Sequence, residues 1–193
     1  WREASPNIVE MWGGQSRKDP HRWKFTPELF GLEGAVVQAI QYPGQCFGHR
    51  GINYGVKDDV LYCQLLSGRM LTYHQPRLSP HTARNGQQEH EISYMGVDSY
   101  TKKWCRHTTY SGKLFENVVQ ATARDILTHA MVNLEKAGYP IVLHVHDEPV
   151  SEVPSGFGSV AEYEAIMSQV PEWAAGWPIK AAGGWRGQRY RKG

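Results

Sequence analysis

The sequence is short of the features that mark several common protein classes. Cysteine is scarce, with Cys46, Cys63 and Cys105 the three among 193 residues. They are odd in number and widely spaced, with neither a second nearby cysteine nor a ligand-spaced histidine, so the pattern indicates neither a disulfide framework nor a structural zinc site. A reducing, cytoplasmic setting fits such usage. No apolar run approaches the length of a membrane span and no signal-peptide pattern opens the chain, so no membrane partner is expected. The excess of one sign of charge is small: 21 Lys and Arg against 19 Asp and Glu leave a net +2, too little to argue for nucleic acid by itself. There is no internal repeat, no glycine-rich phosphate loop, no nucleophile elbow and no credible Ser/His/Asp arrangement.

With 40% hydrophobic and 21% charged residues, the chain has the balance of one globular domain able to bury a core. Basic residues gather at Arg17, Lys18, Arg22 and Lys24, and again at Arg186, Arg189, Arg191 and Lys192; both groups read equally as solvated surface. Two polar, breaker-rich stretches, 13–20 and 79–91, are expected to be exceptions to the general order. The chain opens on Trp1 rather than Met, which suggests a fragment.

The pattern of the chain changes twice. Residues 1–45 read as helical, with a short helix up to Trp12 and a second opening at Thr26 as N-cap, carrying Leu29, Leu32, Val36, Val37 and Ile40 before Pro43-Gly44 stops it. Residues 46–110 read as β-rich. Ile52 to Val56, Val60 to Leu66 and Arg69 to His74 form a meander with turns at Asp58-Asp59 and Ser67-Gly68, and Ile92 to Val97 and Lys103 to Tyr110 supply two more strands. Residues 111–193 begin with a long amphipathic helix in which Phe115, Val118, Val119, Thr122, Ile126, Ala130, Met131, Leu134 and Ala137 recur at helical steps, with Gly138 as C′. Its opposite side aligns Lys113, Asn117, Gln120, Arg124 and Thr128 in a polar stripe. The segment Ile141 to His146 is a buried-strand signature, Asp147-Glu148 a turn and Val150 to Val153 a return strand, although Pro149 disfavours a long ladder there. A last helix is expected from Val160 to Gln169 and a strand near Ile179 to Ala182.

The residues with the clearest chemical potential are His146-Asp147-Glu148. A hairpin tip holds adjacent carboxylates at the rim of a sheet, and hard cations such as Mg²⁺ take carboxylate oxygens while keeping several waters. Asp147 is the candidate metal ligand and Glu148 a second; an acidic turn in water is the plain alternative. His144 and His146 alternate on one strand face, a geometry that could bind zinc with a third ligand from elsewhere, but none is evident, and a half-buried, hydrogen-bonded structural role is the simpler reading of His144. On the polar stripe, Gln120 and Arg124 stand one turn apart, and a glutamine amide, which both donates and accepts, suits the minor groove of a duplex.

Leu143-His144-Val145-His146-Asp147-Glu148, preceded by Gln120-Ala121-Thr122-Ala123-Arg124-Asp125-Ile126-Leu127, resembles the last two landmarks of family A (polymerase I-like) DNA polymerases, in order and in separation. The apolar strand ending in His-Asp-Glu resembles motif C, and the helix before it resembles the family's Gln-x-Thr-Ala-x-Asp segment. Trp1 to Val9 resembles the segment after the fingers helix, Ser67-Gly68-Arg69 a Gly-Arg turn before the palm helix, and Gly184 to Tyr190 the end of phage-type members.

The resemblance implies an α+β fold: an antiparallel palm sheet with the motif C hairpin, a long helix packed on it, and N-terminal helices from the fingers side. It implies template-directed nucleotidyl transfer to primer-template DNA from a dNTP, with two Mg²⁺ ions. Asp147 would bind metal, Glu148 would be an accessory acid, His146 would meet the primer-terminus backbone, and Gln120 would touch the minor groove; Arg124, Lys113 and Asn117 are weaker DNA contacts. Glu116 departs from the family pattern, which places Asn there, and residues 13–25 read as an insertion. By the resemblance, the family's motifs A and B would lie before Trp1, so the chain alone is expected to be inactive. A noncatalytic DNA-binding relic of a prophage gene, or a zinc hydrolase using His144, His146 and Asp147, are the competing readings.

Overall fold

The computed structural model describes residues 31–82 and 88–189. The fold is α+β, as the sequence implies, and the chain divides into two compact units, Trp1–Gln120 and Ala121–Gly193. The expected first helix, the Thr26 cap and the basic group at 17–24 lie outside the described residues.

In the first unit, helix α1 (Gly31–Gln41) buries Leu32, Ala35, Val36 and Ala39, spaced at i, i+3, i+4 and i+7, and packs that face chiefly on the first two strands of a sheet. The sheet is a six-stranded antiparallel meander in sequence order: β1 (Cys46–His49), β2 (Ile52–Lys57), β3 (Val60–Gln64), β4 (Met70–Thr82), β5 (Gln88–Val97) and β6 (Trp104–Thr109). Strict alternation selects the buried face: Ile52, Tyr54 and Val56 of β2 and Leu61 and Cys63 of β3 point into the core, with Tyr54 directly opposite Cys63. Arg50-Gly51 and Asp58-Asp59 close two-residue hairpins with positive φ at both positions, the twist that flanking strands favour.

The stretch 79–91, expected to be irregular, is mostly strand. Ser79 pairs with Glu91 and Pro80 with His90, so β4 and β5 form an extended ladder with exposed side chains at those positions. With Ser79, Pro80, His90 and Glu91 all exposed, these paired positions carry no apolar alternation to betray the strands.

Helix α2 (Ser111–Lys136) is the long helix the periodicity predicts. Leu114 and Val118 are buried in its first part and Thr122, Leu127, Ala130 and Leu134 in its second, whereas Val119, expected inside, is exposed. It stops in a Schellman arrangement: Gly138 N–H donates to the Glu135 carbonyl and Tyr139 N–H to the Leu134 carbonyl, with Gly138 at φ +87°.

The second unit continues with a two-stranded antiparallel sheet, β7 (Ile141–Val145) and β8 (Glu148–Ser151), and helix α3 (Val160–Met167), whose N-cap Ser159 accepts from Glu162 N–H. The hairpin thus forms its own sheet among the described residues rather than joining the meander. Residues 179–182 are not a strand: Ala181 N–H donates to Ser168 Oγ and Gly184 N–H to Glu164 Oε1, so side chains of the α3 region, not a ladder, hold this segment.

Candidate functional site

Val145 pairs with Glu148, leaving His146 and Asp147 as a two-residue hairpin loop. The turn therefore sits one residue earlier than the sequence suggests, and Glu148 opens β8. His146 has φ +54°, the left-handed conformation that such loops demand at their first position and that histidine tolerates better than most residues. Because His146 lies in the loop, it does not share a strand face with His144, which corrects the paired-histidine reading. His144 is half-buried as expected, but its Nδ1 is shielded from solvent without a hydrogen-bond partner. Asp147 is exposed at the tip and Glu148 is half-buried beside it.

The base of the hairpin is fixed from two directions. Glu135, in the last turn of α2, accepts the Ile141 N–H at 2.6 Å. Ser151 Oγ donates to the Tyr139 carbonyl at 3.3 Å, and the Tyr163 hydroxyl donates to the Pro149 carbonyl at 3.2 Å while lying 3.0 Å from Ser151 Oγ. Pro149, the residue that seemed unsuited to the ladder, has no N–H to offer and contributes only that carbonyl. Burial raises the Tyr163 phenol, keeping it a neutral donor. Tyr139 stacks edge-on with both Tyr163 and Phe157 at 5.2 and 5.0 Å and donates to Glu162 at 2.7 Å. These supports let the carboxylate turn keep one position.

On α2, Lys113, Gln120 and Arg124 are exposed, and Lys113 already pairs with Glu116 at 3.0 Å. Asn117 departs from the stripe: its amide donates to the hydroxyl of the buried Tyr73 at 3.1 Å. Arg124 and Thr128 border an open groove of about 600 Å³ that Met131, Val132, Val142 and Leu143 floor with apolar surface, next to His144.

Asp147 and Glu148 offer hard carboxylate oxygens on an anchored turn with an exposed tip, a donor set that fits Mg²⁺ with water completing its shell. Among the described residues, three potential ligand atoms converge elsewhere, at Asp98, Cys105 and His107. Spacing along the chain does not single out this group. Cys105-x-His107 was the available signal, since alternate strand residues share a face, but Asp98 reaches it only across a hairpin.

No protein-family model and no solved structure matches the chain. One curated relative does, at 36% identity over 178 residues, covering 92% of this chain. That relative is named DNA polymerase, from Bacillus phage SP02. The chain spans 26% of its length. The matched region is long enough to include most of both units, and no helix among the described residues is long and apolar enough to cross a membrane.

Proposed function

We infer that this chain is the C-terminal palm portion of a family A DNA polymerase of phage type and that it contributes one carboxylate turn to a two-metal nucleotidyl-transfer site. The observation that carries the reading is the Asp147-Glu148 pair, set on an anchored hairpin in a chain similar along 92% of its length to a protein named DNA polymerase. Asp147 would hold Mg²⁺ and Glu148 would support it. When bound, such ions stabilise charge on the attacking and leaving oxygens of a phosphoryl displacement. A further carboxylate would come from the remainder of the polymerase, and the chain alone would not extend a primer.

The remaining residues act on the duplex. His146, exposed in the hairpin loop, would touch the primer-terminus backbone. Gln120 would reach the minor groove, and Arg124 and Lys113 would meet phosphates, contacts indifferent to sequence as a varying template requires. Asn117 contributes differently, by holding α2 to the sheet through Tyr73. Acting on DNA with dNTP, the protein would work in the cytoplasm of a bacterial host.

A chimera tests this, with the chain replacing the matching segment of the SP02 protein. Mg²⁺-dependent templated extension is expected, falling about 10³-fold in Asp147→Asn if the lost ligand is worth about 4 kcal/mol. A folded, duplex-binding chimera whose extension survives Asp147→Asn refutes the assignment.

A further inference from the structure

The second group of ligand atoms lies in the first unit, at the loop joining β5 to β6, and every part of it has an identifiable cause. Asp98 N–H donates to the Lys103 carbonyl and Lys102 N–H to the Asp98 carbonyl, closing the loop tightly with Lys102 at φ +57°. Asp98 Oδ1 accepts from Tyr100 N–H at 3.1 Å, Thr101 N–H at 2.6 Å and Thr101 Oγ1 at 2.8 Å. All three bonds fall on one oxygen of the carboxylate.

Cys105 and His107 alternate onto the same face of β6, opposite Gly96 and Tyr94. Gly96 is what lets the imidazole lie over the neighbouring strand: a Cβ there would come within 3.2 Å of His107 Cδ2. His107 Nε2 stands 3.6 Å from Cys105 Sγ and 3.2 Å from the Gly96 carbonyl, and one ligand atom each from Asp98, Cys105 and His107 lie within 4.8 Å of one another. All three residues are half-buried, shielded yet reachable.

We propose that Asp98, Cys105 and His107 form a three-ligand site for Zn²⁺ or a closely similar divalent transition metal, with a fourth position left for water. Thiolate, imidazole and carboxylate together select a borderline-soft ion over Mg²⁺ or Ca²⁺. The spacing agrees: bonds of about 2.3 Å to sulfur and about 2.0 Å to nitrogen at a tetrahedral angle separate the two donors by about 3.5 Å. An ion held by Cys105 Sγ and His107 Nε2 would displace the thiol proton to solvent and leave the imidazole proton on Nδ1. The bound ion would clip the β5–β6 hairpin at its tip.

The test is a Co²⁺ titration of the full 193-residue chain, with circular dichroism recording the fold of each variant. One equivalent should give a sulfur-to-cobalt charge-transfer band and tetrahedral d–d bands, both displaced by Zn²⁺. Cys105→Ser should abolish the charge-transfer band, whereas Cys46→Ser, at an exposed cysteine, should keep it. His107→Gln and Asp98→Asn should each weaken binding at least about tenfold. Asn at 98 retains the Oδ1 acceptor that closes the loop. Absence of a saturable band from the folded chain, or a band that survives Cys105→Ser, overturns the proposal.

Discussion

Replacing Asn117 with alanine separates a structural role for this residue from direct contact with DNA. Its amide donates at 3.1 Å to the hydroxyl of Tyr73, which is 5% exposed and stacks edge-on with Tyr94 at 5.0 Å. An ordinary hydrogen bond is worth about 1 kcal/mol net, but a buried hydroxyl left without its partner costs about 1–3 kcal/mol. Asn117→Ala should therefore destabilise the protein by about 2 kcal/mol, which lowers Tm by about 4–8 °C in a chain of this size. Tyr73→Phe removes the hydroxyl and leaves an amide that can turn to water, so its cost should be smaller, about 1 kcal/mol. In the double variant nothing is orphaned, and the two costs should fall short of additivity by about 1 kcal/mol or more. Urea denaturation followed by tryptophan fluorescence measures all three. Burial raises the Tyr73 phenol to about 12 although the Asn117 hydrogen bond pulls it down, so spectrophotometric titration should find it higher still in Asn117→Ala. A variant within about 0.5 kcal/mol of the parent, or strictly additive costs, would refute the reasoning. Unchanged stability with weakened duplex binding would instead make Asn117 a DNA contact.

Burial pushes the Cys63 thiol up from 9.0 to about 11, an effect of about 2–3 kcal/mol. Because the folded value is the higher one, that stability is fully present below pH 9 and declines as pH rises through about 11, which urea melts at stepped alkaline pH would record. Gly158→Ala, at φ +57°, sets a Cβ against the Tyr139 hydroxyl and should cost about 2–4 kcal/mol, while Gly156→Ala, also at positive φ but in open space, should cost about 1 kcal/mol. Equal urea midpoints for the two variants would contradict the packing described around Tyr139. His146→Gly relieves a left-handed histidine and should leave stability unchanged or raise it by up to about 1 kcal/mol, yet slow extension by the SP02 chimera. A clear loss of stability would show that the His146 side chain supports the hairpin.

Local pattern made several elements legible. Period-2 alternation at Ile52, Tyr54 and Val56 and helical spacing from Val118 to Leu134 follow from how a strand or a helix turns its side chains, and Gly138 marks a stop because few other residues tolerate φ +87°. His146-Asp147-Glu148 could be placed at a hairpin tip on the same grounds, to within one residue. The error of one has a physical source: pairing of Val145 with Glu148 sets the loop, and Pro149 can enter β8 because its missing N–H breaks nothing there while its carbonyl is taken by Tyr163. The arm formed by β4 and β5 escaped notice because exposed polar strands carry no burial signal.

By itself, then, the sequence determined the α+β alternation of elements, the long polar-faced helix and the adjacent carboxylates at a turn, since each depends on residues close along the chain. Tertiary structure alone decided that Asn117 answers Tyr73, that Tyr163 and Glu135 fasten the hairpin, and that Asp98 meets Cys105 and His107. Those partners are brought together by strand register, loop closure and helix packing, none of which leaves a periodic trace in the residues concerned.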